Sequence, residues 1–167
     1  MMYRTIQDFL TDWTQENEST LRVFKNLTDV SLNQKVTLDG RSLGFLAWHI
    51  AITLGEMGEK AGLKVIAPPE HSSAPMNASD IAAAYERAGA SIASEVKEKW
   101  NDAMLPELID MYGEKWTRAA TLTSIIKHQI HHRAQMTVLM RQAGLKVPGV
   151  YGPSREEWSQ MGMSAPK

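Results

Sequence analysis

Apolar residues recur every three or four positions in four long stretches of the chain, a spacing that places them on one face of an α-helix. The first stretch covers residues 5–27, the second 43–63 and the fourth 122–143, and the third runs from a cap at Asn77 or Ser79 to Trp100. Polar and turn-forming residues separate the stretches. The pattern predicts four amphipathic helices, and hence an all-α fold of the four-helix-bundle class.

The connections between these helices differ in length and composition. Residues 28–41 are polar and rich in turn formers, so they predict a loop, whereas 64–77 contain three prolines and cannot be helical throughout. A link as long as 64–77 can cross the end of a bundle and return the third helix parallel to the second. Residues 104–119 predict two short extended pieces around a turn at Gly113.

The fourth helix and the C-terminal segment carry recognisable end signals. Thr121 or Thr123 is expected to cap the start of the fourth helix, and Gly144 lies where a helix C-cap glycine belongs. Prolines and glycines follow at 148–153, after which Ser154 predicts the cap of a short final helix over 156–161.

Length and composition limit the class of protein. A chain of 167 residues fits one domain, 1–167, and its 43% hydrophobic and 22% charged residues are typical of a globular protein. The net charge of -1 without a basic block argues against nucleic-acid binding. No apolar run is long enough for a membrane span or a secretion signal, so we expect a cytoplasmic protein. Because cysteine is absent, any metal must bind nitrogen and oxygen ligands.

Three histidines suggest a metal site. His128 and His132 are four residues apart on the fourth helix, so both rings lie on one face and one turn apart. His49 lies in the apolar pattern of the second helix. Several buried imidazoles need several polar partners, and one ion satisfies all of them. Three imidazoles plus water form an open site that leaves a position for chemistry.

The spacing leaves other interpretations open. A single core histidine satisfied by a backbone carbonyl is common, and His128 with His131 is also a possible pair. His71 lies in the proline-rich connection and is most simply a solvated loop residue. Gln129 stands where a zincin protease has its glutamate base, so that protease chemistry is disfavoured. No histidine has a glutamate three residues before it, as the di-iron bundles require.

Several neighbours of the histidines are candidates for supporting roles. Thr53 and Gln135 are placed to hydrogen-bond the histidine rings. Glu56 falls on the face of His49 and could act as an acid or base at a pocket mouth, although a solvated glutamate is the simpler interpretation. Arg133 projects away from the expected ligand face, which favours an ion pair with a neighbouring helix over contact with a substrate. Trp48 is expected to pack between helices rather than to gate the site.

Two segments resemble a known family. The run from His128 to Gln135, continued by Leu139-Met140-Arg141-Gln142-Ala143-Gly144-Leu145-Lys146-Val147-Pro148, resembles the C-terminal signature of the DinB/YfiT-like bundle proteins. Ala47-Trp48-His49-Ile50 is similar to their upstream histidine motif. The resemblance implies an up-down-down-up four-helix bundle, a homodimer, and a divalent ion, nickel or zinc, bound by His49, His128 and His132 in preference to His131.

The same resemblance suggests a function. Characterised relatives include metal-dependent transferases and isomerases that use low-molecular-weight thiols such as bacillithiol, mycothiol or glutathione. We therefore expect a small-molecule metalloenzyme, with thiol transfer to an electrophile as the leading reaction and hydrolysis as another. The alternative is a metal-stabilised binding or stress-response protein without turnover. A third interpretation, a metal-free bundle acting through oligomer contacts, predicts that chelation leaves stability unchanged.

Overall fold

The computed structural model describes residues 3–166 and is mostly helical. Four long helices, α1 (Ile6–Phe24), α2 (Leu43–Lys60), α3 (Ala78–Lys99) and α4 (Arg118–Gln142), are followed by the short helix α5 (Arg155–Trp158). A two-stranded antiparallel hairpin, β1 (Leu108–Met111) and β2 (Glu114–Thr117), precedes α4. The predicted all-α four-helix bundle is confirmed. No helix in the described part of the chain is long and apolar enough to cross a membrane.

One end of the bundle holds the starts of α2 and α3. The backbone N–H of Leu43, the first residue of α2, donates to the carbonyl of Gln34 at 2.9 Å. The N–H of Ala78, the first residue of α3, donates to the Asp29 carboxylate at 2.8 Å. Both partners belong to the segment that follows the end of α1. Helices α2 and α3 therefore run parallel to each other, away from the end where α1 finishes.

The starts of α1 and α4 meet at the opposite end. The N–H of Ile6 donates to Asp102 Oδ1 at 2.8 Å, and the N–H of Ala119 donates to the carbonyl of Leu105 at 3.0 Å. Each of α1 and α2 packs against both α3 and α4. These contacts give the up-down-down-up arrangement that the family resemblance implied, with the apolar faces of all four helices turned to a common core.

Some predicted boundaries were wrong. Helix α4 begins at Arg118 and is capped by Thr117, whose hydroxyl oxygen accepts a hydrogen bond from the Ala120 N–H at 3.0 Å, so neither Thr121 nor Thr123 is the cap. The reason is that β2 ends at Thr117 and leads directly into the helix. Helix α2 ends at Lys60, and the predicted loop 28–41 contains a 3-10 turn, Val30–Asn33. The single domain over 1–167 stays a prediction.

The long connection 64–77 lies against the side of α2. Two glycines of α2 permit this approach, because a Cβ atom on Gly58 would lie 2.4 Å from Val65 Cγ2, and one on Gly55 would lie 2.6 Å from Ala67 Cβ. The indole N–H of Trp48 donates to the carbonyl of Ser72 at 2.9 Å and fixes the far part of the connection. The connection therefore forms a wall beside the α2 face that carries His49.

Candidate metal centre

His49, His128 and His132 converge between α2 and α4. The ring centroids of His49 lie 5.0 Å from His128 and 4.7 Å from His132, and the last two are 4.5 Å apart. Each residue offers one ring nitrogen, and these three atoms all lie within 4.8 Å of one another. His132 is buried, and the other two are half-buried. The three histidines could therefore hold one metal ion.

The hydrogen-bond partners of two of these rings assign their protons. His132 Nδ1 lies 2.8 Å from Gln135 Oε1, which can only accept, so Nδ1 carries the proton. Thr53 Oγ1 donates to the carbonyl of His49 at 2.9 Å and lies 3.4 Å from His128 Nδ1, so its lone pair accepts from that ring. Both rings are thus left with a lone pair on Nε2, the form in which imidazole binds metal.

The two free nitrogens face each other. His128 Nε2 and His132 Nε2 are 3.2 Å apart, and two lone pairs at this distance repel unless a cation or a proton lies between them. Two nitrogens at about 2.0–2.1 Å from one tetrahedral ion would be roughly 3.3–3.4 Å apart. The observed spacing and the donor set therefore fit a divalent ion of borderline softness.

The environment keeps these imidazoles neutral. Burial, with electrostatic interactions with His132 and Arg41 that disfavour protonation, lowers the pKa of His49 to about 4. Burial and the neighbouring histidines lower the pKa of His128 to about 4 as well. Burial also lowers the pKa of His132, although its hydrogen bond to Gln135 opposes the shift. Neutral rings are the metal-binding form, so the site is ready for an ion near pH 7.

An open pocket of 630 Å³ adjoins the triad through His49. Phe45, Trp48 and Ile52 give it an apolar wall on α2, and Glu56 lies farther along the same helix. The opposite wall is the 64–77 connection, including Glu70 and His71. His71, predicted to be a solvated loop residue, is exposed but lines this pocket. A small molecule could therefore lie beside His49, one of the three histidines of the triad.

Gln135, His131 and Trp48 lie next to the triad. Gln135 contacts two histidines, because its amide nitrogen also lies 3.1 Å from Nε2 of the exposed His131. His131 is thus next to the triad but not among its three convergent nitrogens. Trp48 both packs against the connection and lines the pocket, so it lies at the site and does not only pack between helices.

Glu56 and Tyr112 form a polar pair near the pocket. Burial, together with a hydrogen bond to Glu56, raises the pKa of the Tyr112 hydroxyl above its ordinary range. Tyr112 occupies the turn between β1 and β2 and has a positive φ of 54°, as the first position of a tight hairpin turn requires. The sequence predicted the turn but gave no signal that its tyrosine would meet Glu56.

Arg133 points away from the triad, as predicted. Its side chain is 3% exposed and forms an ion pair of 2.7 Å with Glu16 of α1. Further hydrogen bonds join the guanidinium to Thr20 at 3.1 Å and to the Tyr151 hydroxyl at 2.7 Å. The residue is therefore a structural link between α4, α1 and the C-terminal segment.

Comparison with known proteins identifies the family. A model of the DinB family matches residues 2–164. The chain belongs to the DinB family. The resemblance seen in the two histidine segments is thus confirmed, and it extends over nearly the whole chain. A second match is to the uncharacterized protein YrdA of Bacillus subtilis strain 168, which is 41% identical over 166 residues and covers 99% of both chains.

Solved structures of DinB-like proteins share the fold. A DinB-like protein from Bacillus cereus ATCC 10987 is 40% identical, with a TM-score of 0.87 over 90% of this chain and 100% of that one. The DinB-like protein YjoA of Bacillus subtilis is 20% identical, with a TM-score of 0.64 over 82% of this chain and 92% of that one. The second similarity concerns the fold alone.

Acidification should destabilise the metal-free protein. An unfolded histidine has a pKa near 6.5, whereas those of His49 and His128 are lowered to about 4 in the folded protein. Between these values the unfolded chain binds more protons, so stability falls as the pH falls from about 6.5 towards 4. Urea unfolding of chelator-treated protein between pH 7 and pH 4.5 measures this slope. A His49→Gln, His128→Gln double variant should lose less stability over this pH range than the wild type. An equal loss would contradict the lowered pKa values of these two histidines.

Proposed function

We propose that this DinB-family protein is a mononuclear metalloenzyme in which His49, His128 and His132 hold one divalent ion, nickel or zinc. The observation that carries the proposal is the pair of Nε2 atoms 3.2 Å apart, each left with its lone pair because the Nδ1 atom of the same ring donates elsewhere. The half-buried site with an open pocket beside it favours an enzyme over a purely structural ion.

The reaction that we propose is transfer of a low-molecular-weight thiol to a small electrophile. A bound divalent ion supplies Lewis acidity, which lowers the pKa of a thiol or water beside it. In the overall reaction the thiol sulfur forms a bond to an electrophilic carbon, the leaving group departs with its electron pair, and the thiol proton is released. Family membership and the neutral imidazole set support this reaction class.

The side chains of the pocket have separate tasks in this proposal. Phe45 and Ile52 provide apolar surface that excludes water from the reacting atoms. Trp48 holds the connection in place as the opposite wall through its bond to Ser72. Glu56 lines the pocket and is the carboxylate that we propose to receive the released proton, with Tyr112 donating to it.

A conjugation assay tests the proposed reaction. Protein loaded with nickel or zinc is mixed with bacillithiol or glutathione and a panel of electrophiles, and mass spectrometry follows the thioether product. We expect at least one pair to react in a metal-dependent manner, and the chelated protein and His132→Ala to be inactive. A protein that keeps its metal and conjugates no pair would contradict the enzyme and favour the metal-stabilised binding or stress-response protein.

Two further features belong to the same proposal. We infer a homodimer, as the resemblance to the DinB family implies, and a cytoplasmic location, as the lack of a long apolar run in the sequence led us to expect. Analytical ultracentrifugation of the metal-loaded protein measures the first of these, and a monomer at micromolar concentration would contradict it.

A further inference from the structure

Arg41 lies in line with the candidate metal centre. Its guanidinium carbon is 5.0 Å from the centroid of the Phe45 ring, and that ring stacks on His49 with a centroid distance of 5.9 Å and an interplanar angle of 15°. Phe45 and His49 are one helical turn apart on α2, and Arg41 lies two residues before that helix begins. The Phe45 ring therefore lies between the positive charge of Arg41 and the ring of His49.

A second cavity, of 370 Å³, opens on this side of the site. Arg41 and Gln135 are its polar lining residues, and its apolar walls are Val36, Leu46, Val138 and Leu139. Gln135 is also the residue that accepts the hydrogen bond from His132 Nδ1 at 2.8 Å. Two of its lining residues therefore connect the cavity with the triad through side-chain contacts. Gln135 contacts His132 directly, and Arg41 contacts His49 through the intervening ring of Phe45.

The charge of Arg41 has no acidic partner. Within residues 3–166 its guanidinium makes neither an ion pair nor a hydrogen bond, and its one recorded contact is the face of Phe45. Its five N–H donors are therefore available to an anion. Its positive charge also lowers the pKa of all three histidines, which agrees with a position close to the site.

We propose that this cavity binds a carboxylate attached to a short aliphatic chain, with the carboxylate paired to Arg41 and the chain against Val36, Leu46 and Val138. A planar guanidinium matches a carboxylate with two parallel hydrogen bonds, and the apolar walls suit the chain that carries it. Of the residues that the structure describes, Arg41 is the one charged residue that lines this cavity, whereas Glu56 and Glu70 line the other pocket, so an anion is favoured here and not there. We further infer that this carboxylate belongs to a substrate of the metal centre, and this part of the inference rests on the proposed function.

Titration with a simple carboxylate tests the subsite without using the metal. Isotope-labelled full-length protein, metal-free and zinc-loaded, is titrated with hexanoate and with hexylamine while backbone amide signals are followed by NMR. Hexanoate should shift signals in 36–46 and 135–139 and bind about 10-fold more tightly than hexylamine, a difference of about 1.4 kcal/mol, because Arg41 attracts the carboxylate and repels the ammonium group. R41Q should lose this preference.

Arg87 provides the matched control. It is an exposed arginine of α3 that lines neither cavity, so R87Q makes the same change in net charge and should bind hexanoate as the wild type does. Amide spectra of both variants show whether they are folded. The subsite would be overturned if R41Q bound hexanoate as tightly as the wild type, or if the wild type bound hexylamine as tightly as hexanoate. Amide shifts outside 36–46 and 135–139, or shifts caused by a second copy of the chain covering the cavity, would overturn it as well.

Thiol probes connect the subsite with the metal centre. Cobalt-loaded protein is titrated with 3-mercaptopropionate, 2-mercaptoethanol and 2-mercaptoethylamine, and the visible absorption of the ion reports binding. The carboxylate thiol should bind at least ~10-fold more tightly than the other two in the wild type and not in R41Q. No absorption change with any thiol would contradict the proposed function alone, whereas equal changes with all three would overturn the subsite alone.

Discussion

Replacing His132 with alanine is expected to leave the purified protein with less than about a tenth of the metal that the wild type binds. Loss of a group that merely supports a ligand weakens metal binding by roughly 10–100-fold, and removal of one of three nitrogens should cost more. The remaining His128 Nε2 would lose its partner at 3.2 Å. Elemental analysis after dialysis against trace metal measures the effect, and His49→Ala and His128→Ala should behave alike.

His131→Ala is the matched control for these variants. His131 is adjacent to His132, on the same helix and with a ring centroid 4.9 Å away, but it is exposed and outside the convergent triad. Its removal should leave the metal content close to that of the wild type. If His131→Ala lost the metal while His132→Ala kept it, the ion would be bound by the His128 and His131 pair instead, and the proposed site would be wrong.

The spacing of these histidines predicts a ligand pair on α4 but does not by itself identify both of its members. The one-turn relation of His128 and His132 follows from helix geometry alone, and the helical pattern around them is strong. The choice between His131 and His132 needed more, because both lie within about 60° of His128 on a helical wheel. What separates them is the position of α2, a tertiary contact that periodicity does not encode.

Sequence patterns did not predict the pocket beside His49. Three prolines predicted correctly that 64–77 is not helical, but not where the segment lies. Its position depends on Gly55 and Gly58, which permit close approach, and on the bond from Trp48 to Ser72. His71 comes to line the pocket only as a result of this packing. A lone histidine in a polar loop carries no signal that would have indicated it.

Capping signals were ambiguous for a similar reason. Threonines at 117, 121 and 123 are all suitable helix caps, and the sequence favours the ones nearest the apolar pattern. The hairpin decides among them, since β2 delivers the chain to Thr117 in an extended conformation. Thr121 lies inside the helix, where its hydroxyl donates to the carbonyl of Thr117 at 3.2 Å.

One short part of α4 makes polar contacts with each of the other long helices. His128 lies beside Thr53 of α2, and Gln129 Oε1 accepts a hydrogen bond from the Tyr85 hydroxyl of α3 at 2.7 Å. Arg133 reaches Glu16 of α1. These contacts fix the rotation of α4 about its axis, and that rotation directs the histidines towards α2. The network around Arg133 and the candidate metal site are therefore two faces of the same helical segment.

Replacing Arg133 with methionine should lower the free energy of unfolding by roughly 3–5 kcal/mol. Methionine replaces the aliphatic part of the arginine side chain but carries no charge. Glu16, with a side chain only 13% exposed, would lose its ion-pair partner and keep the hydrogen bond from the Tyr151 hydroxyl at 2.8 Å. The hydrogen bonds from the guanidinium to Thr20 and Tyr151 would also be lost. Urea unfolding of the metal-free protein at pH 7, followed by circular dichroism, measures the change without a contribution from bound metal.

Arg141→Met tests whether burial of the ion pair causes the loss of stability expected for Arg133→Met. Arg141 lies on the same helix and pairs with Glu156, but both side chains are about one-third exposed, so the same substitution should have a much smaller effect. A double variant, Arg133→Met with Glu16→Gln, should lose less stability than the sum of the single changes, since it removes the unpaired buried charge. Equal losses for Arg133→Met and Arg141→Met would contradict this account, because the cost would then come from the loss of an arginine side chain in general. Additive effects in the double variant would likewise show that Glu16 and Arg133 do not act as a pair.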